Sequence, residues 1–241
     1  MNNYMRENGT FEFDGVSSAD YGVWITGAGT YNAPPRRFEE ITIPGRNGTL
    51  TLDQNAFEDI EQTYPAFIRR NFATNIEGLR NQLLSRAGKK VLKDSYHPDE
   101  FYLAKYIEGL EVETAAKGVA GRFDLVFKRD PRRFLVSGET PVTMSRGGTI
   151  TNPTLFASRP LIHAVGYGTV TIGHTTITIA NEFSYVDIDC ETMDCYSGTQ
   201  NANAAVTFSD NDFPELPTGA TGVTYSNTIT QLIITPRWWR L

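Results

Sequence analysis

Cysteine and histidine are scarce in this sequence. Its 241 residues include two cysteines, Cys190 and Cys195, and three histidines, His97, His163 and His174. Two cysteines cannot build a disulfide scaffold, and their rarity suits a reducing compartment. A zinc site would want a second ligand pair beside Cys190 and Cys195, and the widely separated histidines supply none. Long apolar runs are missing too. None approaches the ~20 residues that a membrane-spanning helix needs. The stretch from Met1 to Phe11 is polar and mixed in charge, so no secretory signal is expected. Positive charge is in deficit. With 22 Lys+Arg against 28 Asp+Glu the net charge is −6, which does not favour nucleic acid. Catalytic and nucleotide-binding signatures are also absent: there is no GxxxxGK[ST], no HExxH and no GxSxG, and Gly27-Ala28-Gly29 lacks the rest of a dinucleotide fingerprint. No cofactor, metal or catalytic residue is expected.

What is present is a globular composition, 40% hydrophobic and 12% aromatic. Charge divides the chain. Residues 1–140 hold 18 Lys+Arg and 20 Asp+Glu, whereas residues 141–241 hold 4 and 8. The second part is instead rich in Thr, Val, Ile, Gly and Asn, and its Thr and β-branched residues favour pleated surfaces. The crossover falls at the turn-rich stretch from Ser137 to Pro141. Two domains follow, residues 1–138 and 139–241.

The first part reads as mainly β with one strong helix. Ile41-Thr42-Ile43 alternates, stops at Pro44-Gly45-Arg46-Asn47-Gly48, and resumes at Thr49 to Leu52, which predicts a hairpin over 39–53. Tyr64 to Phe72 reads as a further strand. Ile76, Leu79, Leu83 and Leu84 form an apolar stripe for a helix capped at Thr74 or Asn75 and closed by Gly88. Lys90 to Leu92, Phe101 to Gly109 and Gly121 to Lys128 read as strands. The second part predicts strands at Ser158 to Ala164, Gly168 to Ile172, Thr175 to Ile179 and Tyr185 to Cys190, with one or two more in Val223 to Ile234. Asp187, Asp189 and Glu191 share one face of a strand. A solvated sandwich face explains them better than calcium binding or a glycosidase pair. The pair Trp238 and Trp239 points to opposite faces, so at least one should meet another surface.

The ordered stretches Ile43-Pro44-Gly45-Arg46-Asn47-Gly48-Thr49-Leu50, Phe127-Lys128-Arg129-Asp130-Pro131-Arg132-Arg133-Phe134, Thr151-Asn152-Pro153-Thr154 through Arg159-Pro160, Tyr185 to Cys190, Phe213-Pro214-Glu215-Leu216 and Thr235-Pro236-Arg237-Trp238-Trp239 carry a resemblance. Together they resemble the distal tail protein family of siphoviruses. The resemblance implies a non-enzymatic structural protein of the virion tail tip, assembled in the bacterial host cytoplasm. It implies a fold that is mainly β with one or two helices: a β-sandwich with a helix and a hairpin arm, then a galectin-like or carbohydrate-module-like β-sandwich. The first domain would form a hexameric ring and the second would lie at its periphery. Partners would be other copies of the chain, the major tail or tube protein, the tail-associated fibre or lysin protein, and receptor-binding proteins. Neither nucleic acid nor membrane is among them. The candidate assembly residues are Ile43, Gly45, Arg46, Asn47, Gly48, Leu50, Trp238 and Trp239. A carbohydrate-binding module for host-wall glycans is the alternative. The sequence lacks the long insertion that some family members carry as an added sugar-binding module.

Overall fold

A computed structural model describes residues 9–27, 32–69, 71–115 and 120–241. Ala28 and Gly29, from the glycine-containing stretch noted above, lie outside these residues. The chain divides into two compact units, Met1–Arg133 with Leu241, and Phe134–Arg240.

Unit 1 contains strands β1 (Phe11–Phe13), β2 (Val16–Ser17), β3 (Val23–Ile25), β4 (Arg36–Thr42), β5 (Thr49–Phe57), β6 (Ile60–Arg69), β7 (Lys90–Asp94), β8 (Glu100–Tyr106), β9 (Glu113–Ala115) and β10 (Ala120–Arg129). Helix α1 spans Phe72–Leu84. One antiparallel sheet runs in the order β2-β1-β7-β8-β10-β6-β3, with β9 beside β10. The longest ladder joins β6 to β10, with Tyr64 opposite Leu125 and Gln62 opposite Phe127. Strand alternation in β6 and β10 buries Tyr64, Ala66, Ile68, Phe123, Leu125 and Phe127 on one face. Ile76, Leu79 and Leu83 of α1 join that core. The helix starts earlier than its cap residues suggest. Asn71, at φ 44°, precedes it without a side-chain cap bond, and the chain has already left the strand at Arg69. Leu84 is exposed, because one further residue turns a helix by 100° and carries it off the Leu79–Leu83 stripe.

Unit 2 is a sandwich of two antiparallel sheets. Its strands are β12 (Val142–Thr143), β13 (Gly148–Asn152), β14 (Leu161–Gly166), β15 (Gly168–Ile172), β16 (Thr175–Ile179), β17 (Tyr185–Asp189), β18 (Asp194–Ser197), β19 (Gln200–Asn201), β20 (Val206–Phe208), β21 (Gly219–Tyr225) and β22 (Ile229–Thr235), flanked by β11 (Arg133–Leu135) and β23 (Trp239–Arg240). One sheet has the order β12-β22-β14-β17-β18-β19 and the other β13-β21-β15-β16-β20. Their inner faces meet in a core of Ile162, Val170, Ile177, Val186, Ile188, Leu232 and Ile234, all almost fully buried. β15 and β16 match the sequence reading, and the one or two strands read in Val223 to Ile234 are two, Gly219–Tyr225 and Ile229–Thr235. Ser158, read as the start of a strand, makes only an isolated bridge to Leu216.

The last residues of unit 2 are clamped. The Ser158 hydroxyl donates to the Pro236 carbonyl at 2.6 Å, and the Trp239 indole donates to the Ala157 carbonyl at 2.9 Å. Arg237 sits at φ 56° and makes a two-pronged ion pair with Asp189, at 2.6 and 3.0 Å. Gly138 is required beside them, since a side chain there would collide with the Trp238 backbone nitrogen. Burial pushes the Asp189 carboxyl up, but the Arg237 guanidinium and the amides of Thr192 and Glu191 outweigh it and hold the pKa below the usual carboxylate range. A depressed folded-state pKa gives stability that is present above the unfolded carboxylate pKa and is lost as pH falls through the folded one. Asp189→Asn is therefore expected to cost unit 2 about 1–3 kcal/mol at pH 7. It should also remove part of the acid-induced loss below about pH 4, where unfolded aspartates titrate. Urea midpoints of both proteins at pH 7 and pH 3 check this, and an unchanged acid sensitivity would contradict it.

Candidate assembly surface

The 36–57 hairpin follows from its turn. Ile43-Pro44-Gly45-Arg46 places Pro and then Gly at the central positions of a type II turn. Gly45 has φ +81°, and the Arg46 amide donates to the Ile43 carbonyl at 3.1 Å. On either side β4 and β5 pair antiparallel, with Ile41 opposite Leu50 and Glu39 opposite Leu52. At the base the register shifts between Arg37 and Phe38, and Asn55 takes φ 50°. Arg36 contacts Asp53 at 2.6 Å and Asn55 at 3.3 Å there, and the Asn55 amide donates to Asp53 at 2.8 Å. That amide and then the Arg36 guanidinium hold the Asp53 carboxyl below its ordinary pKa.

The hairpin forms a two-stranded sheet of its own. Cross-strand partners share a face, so Ile41, Leu50 and Leu52 lie together, and alternation brings Ile43 to the same side. These four side chains are 37–44% exposed, and Phe38, on the opposite face, is 53% exposed. A two-stranded ribbon is marginal on its own in water. An apolar face of this kind, rimmed by polar residues, marks an interaction site. The hairpin therefore brings together Ile43, Gly45, Arg46, Asn47, Gly48 and Leu50. Ile41 and Leu52 lie on the same face as Ile43 and Leu50, although the candidate set omitted them. The alternation on both sides of the turn was the signal that could have included them.

The tryptophans sit elsewhere. Trp238 is 6% exposed and belongs to the unit 2 core, so its ring is used within its own unit. Trp239 is half-buried and stacks on Phe156 with ring centroids 4.5 Å apart. Each thus meets a surface inside unit 2.

The acidic strand is accounted for by partners within unit 2. Asp187 meets His163 Nδ1 at 2.6 Å, Asp189 pairs with Arg237, and Glu191 is exposed. His174 stands almost fully exposed in its hairpin turn. Among the described residues, no group of three or more His, Cys, Asp or Glu is placed to hold a metal ion. Cys190 and Cys195 are both buried free thiols. Burial pushes both pKa values up, Cys195 to about 12.

Among the described residues these features define a mainly β chain of two units with one α-helix and an exposed hairpin. A solved phage hub protein shares this fold. Over 96% of its length the chain superposes on 99% of the Dit protein of phage SPP1, described as a paradigm of the hub adsorption apparatus in phages infecting Gram-positive bacteria, with a TM-score of 0.69 and 16% identity. Structures of the phage p2 baseplate in its activated conformation align more loosely. The form with calcium gives a TM-score of 0.42 at 9% identity, covering 88% of this chain and 90% of that one. The form with strontium gives 0.46 at 10% identity, covering 96% and 98%. No protein-family model matches the sequence, and no curated protein does. At these identities the likeness is one of fold.

Proposed function

We propose that this chain is a structural subunit of a phage tail tip, a distal tail hub that assembles with copies of itself into a ring. The ring joins the tail tube to the tip fibre or lysin protein and to the receptor-binding apparatus. The part up to residue 138 builds the ring, and the part from residue 139 lies at its periphery. The function is assembly rather than turnover. The observation that carries this reading is the match, along nearly the whole chain, to the SPP1 hub protein. The exposed apolar face of the hairpin supports it, because a ring closed by heterologous contacts needs a surface on each subunit that is satisfied only by another. Light scattering and negative-stain electron microscopy of the purified protein test it. Closed rings of six subunits are expected. A protein that stays monomeric at every accessible concentration would overturn the reading.

A further inference from the structure

Asn47 and Gly48 are adjacent, exposed residues in the turn between β4 and β5. The side-chain carbon of an asparagine lies within reach of the backbone nitrogen that follows it, and a glycine there puts no Cβ in the way. Even a Cβ added to Gly48 would meet nothing within 4 Å, so its amide stands in open space. Among the described residues, neither the Asn47 side chain nor the Gly48 amide makes a hydrogen bond.

Other turn residues of this kind are tied. Asp14-Gly15 is also a tight turn, but the Asp14 amide donates to the Val91 carbonyl at 2.9 Å and its carboxylate pairs with Arg86 at 3.2 Å. The Asn203 side chain is held at both ends, accepting from the Cys195 amide at 2.7 Å and donating to Asp194 at 2.8 Å. Asn152 donates to the carbonyls of Phe156 and Leu216 at 2.9 and 2.8 Å. Such bonds keep a side-chain carbon away from the next nitrogen. Charge also singles out the hairpin turn. Arg46, next to Asn47, is the only charged residue from Ile41 to Leu52, and a nearby cation favours an amide that is losing its proton.

We infer that Asn47 is a self-modification site, converting to aspartyl and isoaspartyl residues without an enzyme. The Gly48 nitrogen, once deprotonated, bonds to Asn47 Cγ. The Cγ–Nδ2 bond breaks, and ammonia leaves with a proton taken from water. A cyclic imide remains, and a water molecule opens it. Opening at Cγ gives aspartate on the native backbone. Opening at the backbone carbonyl gives isoaspartate, whose main chain runs through Cγ and is longer by one methylene. Both products set a carboxylate beside Arg46, so the turn loses its net positive charge. The isoaspartyl form also alters the turn that fixes the Thr42–Thr49 register, on which the shared face of Ile41 and Leu50 depends. The inference rests on the hairpin alone, whatever the chain assembles with.

Peptide mapping of the full-length protein, incubated for days at physiological temperature, tests it. Mass spectrometry reads the change from amide to acid at Asn47, and an isoaspartyl methyltransferase with a labelled methyl donor reads the isoaspartyl product. In the native protein Asn47 is expected to convert within tenfold of its rate in urea, and faster as pH rises. Asn47→Gln should remove the signal from that peptide, because the longer side chain closes the imide ring poorly. Native conversion more than tenfold slower than in urea would show that the fold protects the site, and would overturn the inference. A rate indifferent to pH would overturn it too, since the attacking group is a deprotonated amide.

Discussion

Leu50→Asp combined with Leu52→Asp is expected to abolish ring assembly and to leave the melting of the monomer unchanged. Both leucines lie on the exposed face of the hairpin, so the substitutions remove nothing from a core. Surface changes of this kind stay within about 0.5 kcal/mol of the parent. In the proposed ring the same positions would be buried. Losing two leucine contacts costs roughly 1–2 kcal/mol each, and desolvating two carboxylates costs more. Each tip contact should weaken on the order of a hundredfold or more. Light scattering over a concentration series reads the loss, and circular dichroism melting reads the control. Rings that persist in the double variant would remove the hairpin from the interface. A melting temperature that falls sharply would mean instead that the apolar face is packed within the chain.

Phe127→Ala is expected to be the most damaging single truncation in unit 1. Phe127 is fully buried and is ringed by Phe13 at 5.3 Å, Tyr106 at 5.5 Å, Phe11 at 5.8 Å and Tyr64 at 6.0 Å between centroids. It therefore ties β1, β6 and β8 to β10. Emptying such a site costs about 3–5 kcal/mol, a large share of a domain's total stability of about 5–15 kcal/mol. For a unit of this size the melting temperature should drop on the order of 10 °C or more. Phe127→Leu keeps most of the volume and should cost under about 1.5 kcal/mol. Calorimetry of the two variants checks the order. A drop of only a degree or two for alanine would show that the aromatic cluster collapses around the gap.

The legibility of the sequence varied with the range of the interactions involved. β15 and β16 could be read to the residue, because local alternation and the Gly173 turn define them. The hairpin around Pro44-Gly45 was legible for the same reason, and its type II turn emerges from the structure. The start of α1 was not legible, since Asn71 enters it in a left-handed conformation with no capping side-chain bond. The role of Trp238 could not be read either. Whether an aromatic near the end of a chain faces a neighbour or its own core depends on β22, Gly138 and Pro236, which only the tertiary fold brings together.

The pairing order of unit 2 bears on the timing of synthesis. Its first strands, β12 and β13, find their partners in β22 and β21 near the far end of the chain, and the clamp engages Pro236, Arg237 and Trp239. Unit 2 can therefore close only once Pro236 to Trp239 have emerged from the ribosome. Strands β1 to β10 and helix α1 are all made by Arg129, so the core they enclose can form while residues 130–241 are still to be made. Domains form in that order during translation. The unit that carries the hairpin is thus complete before the second unit can close.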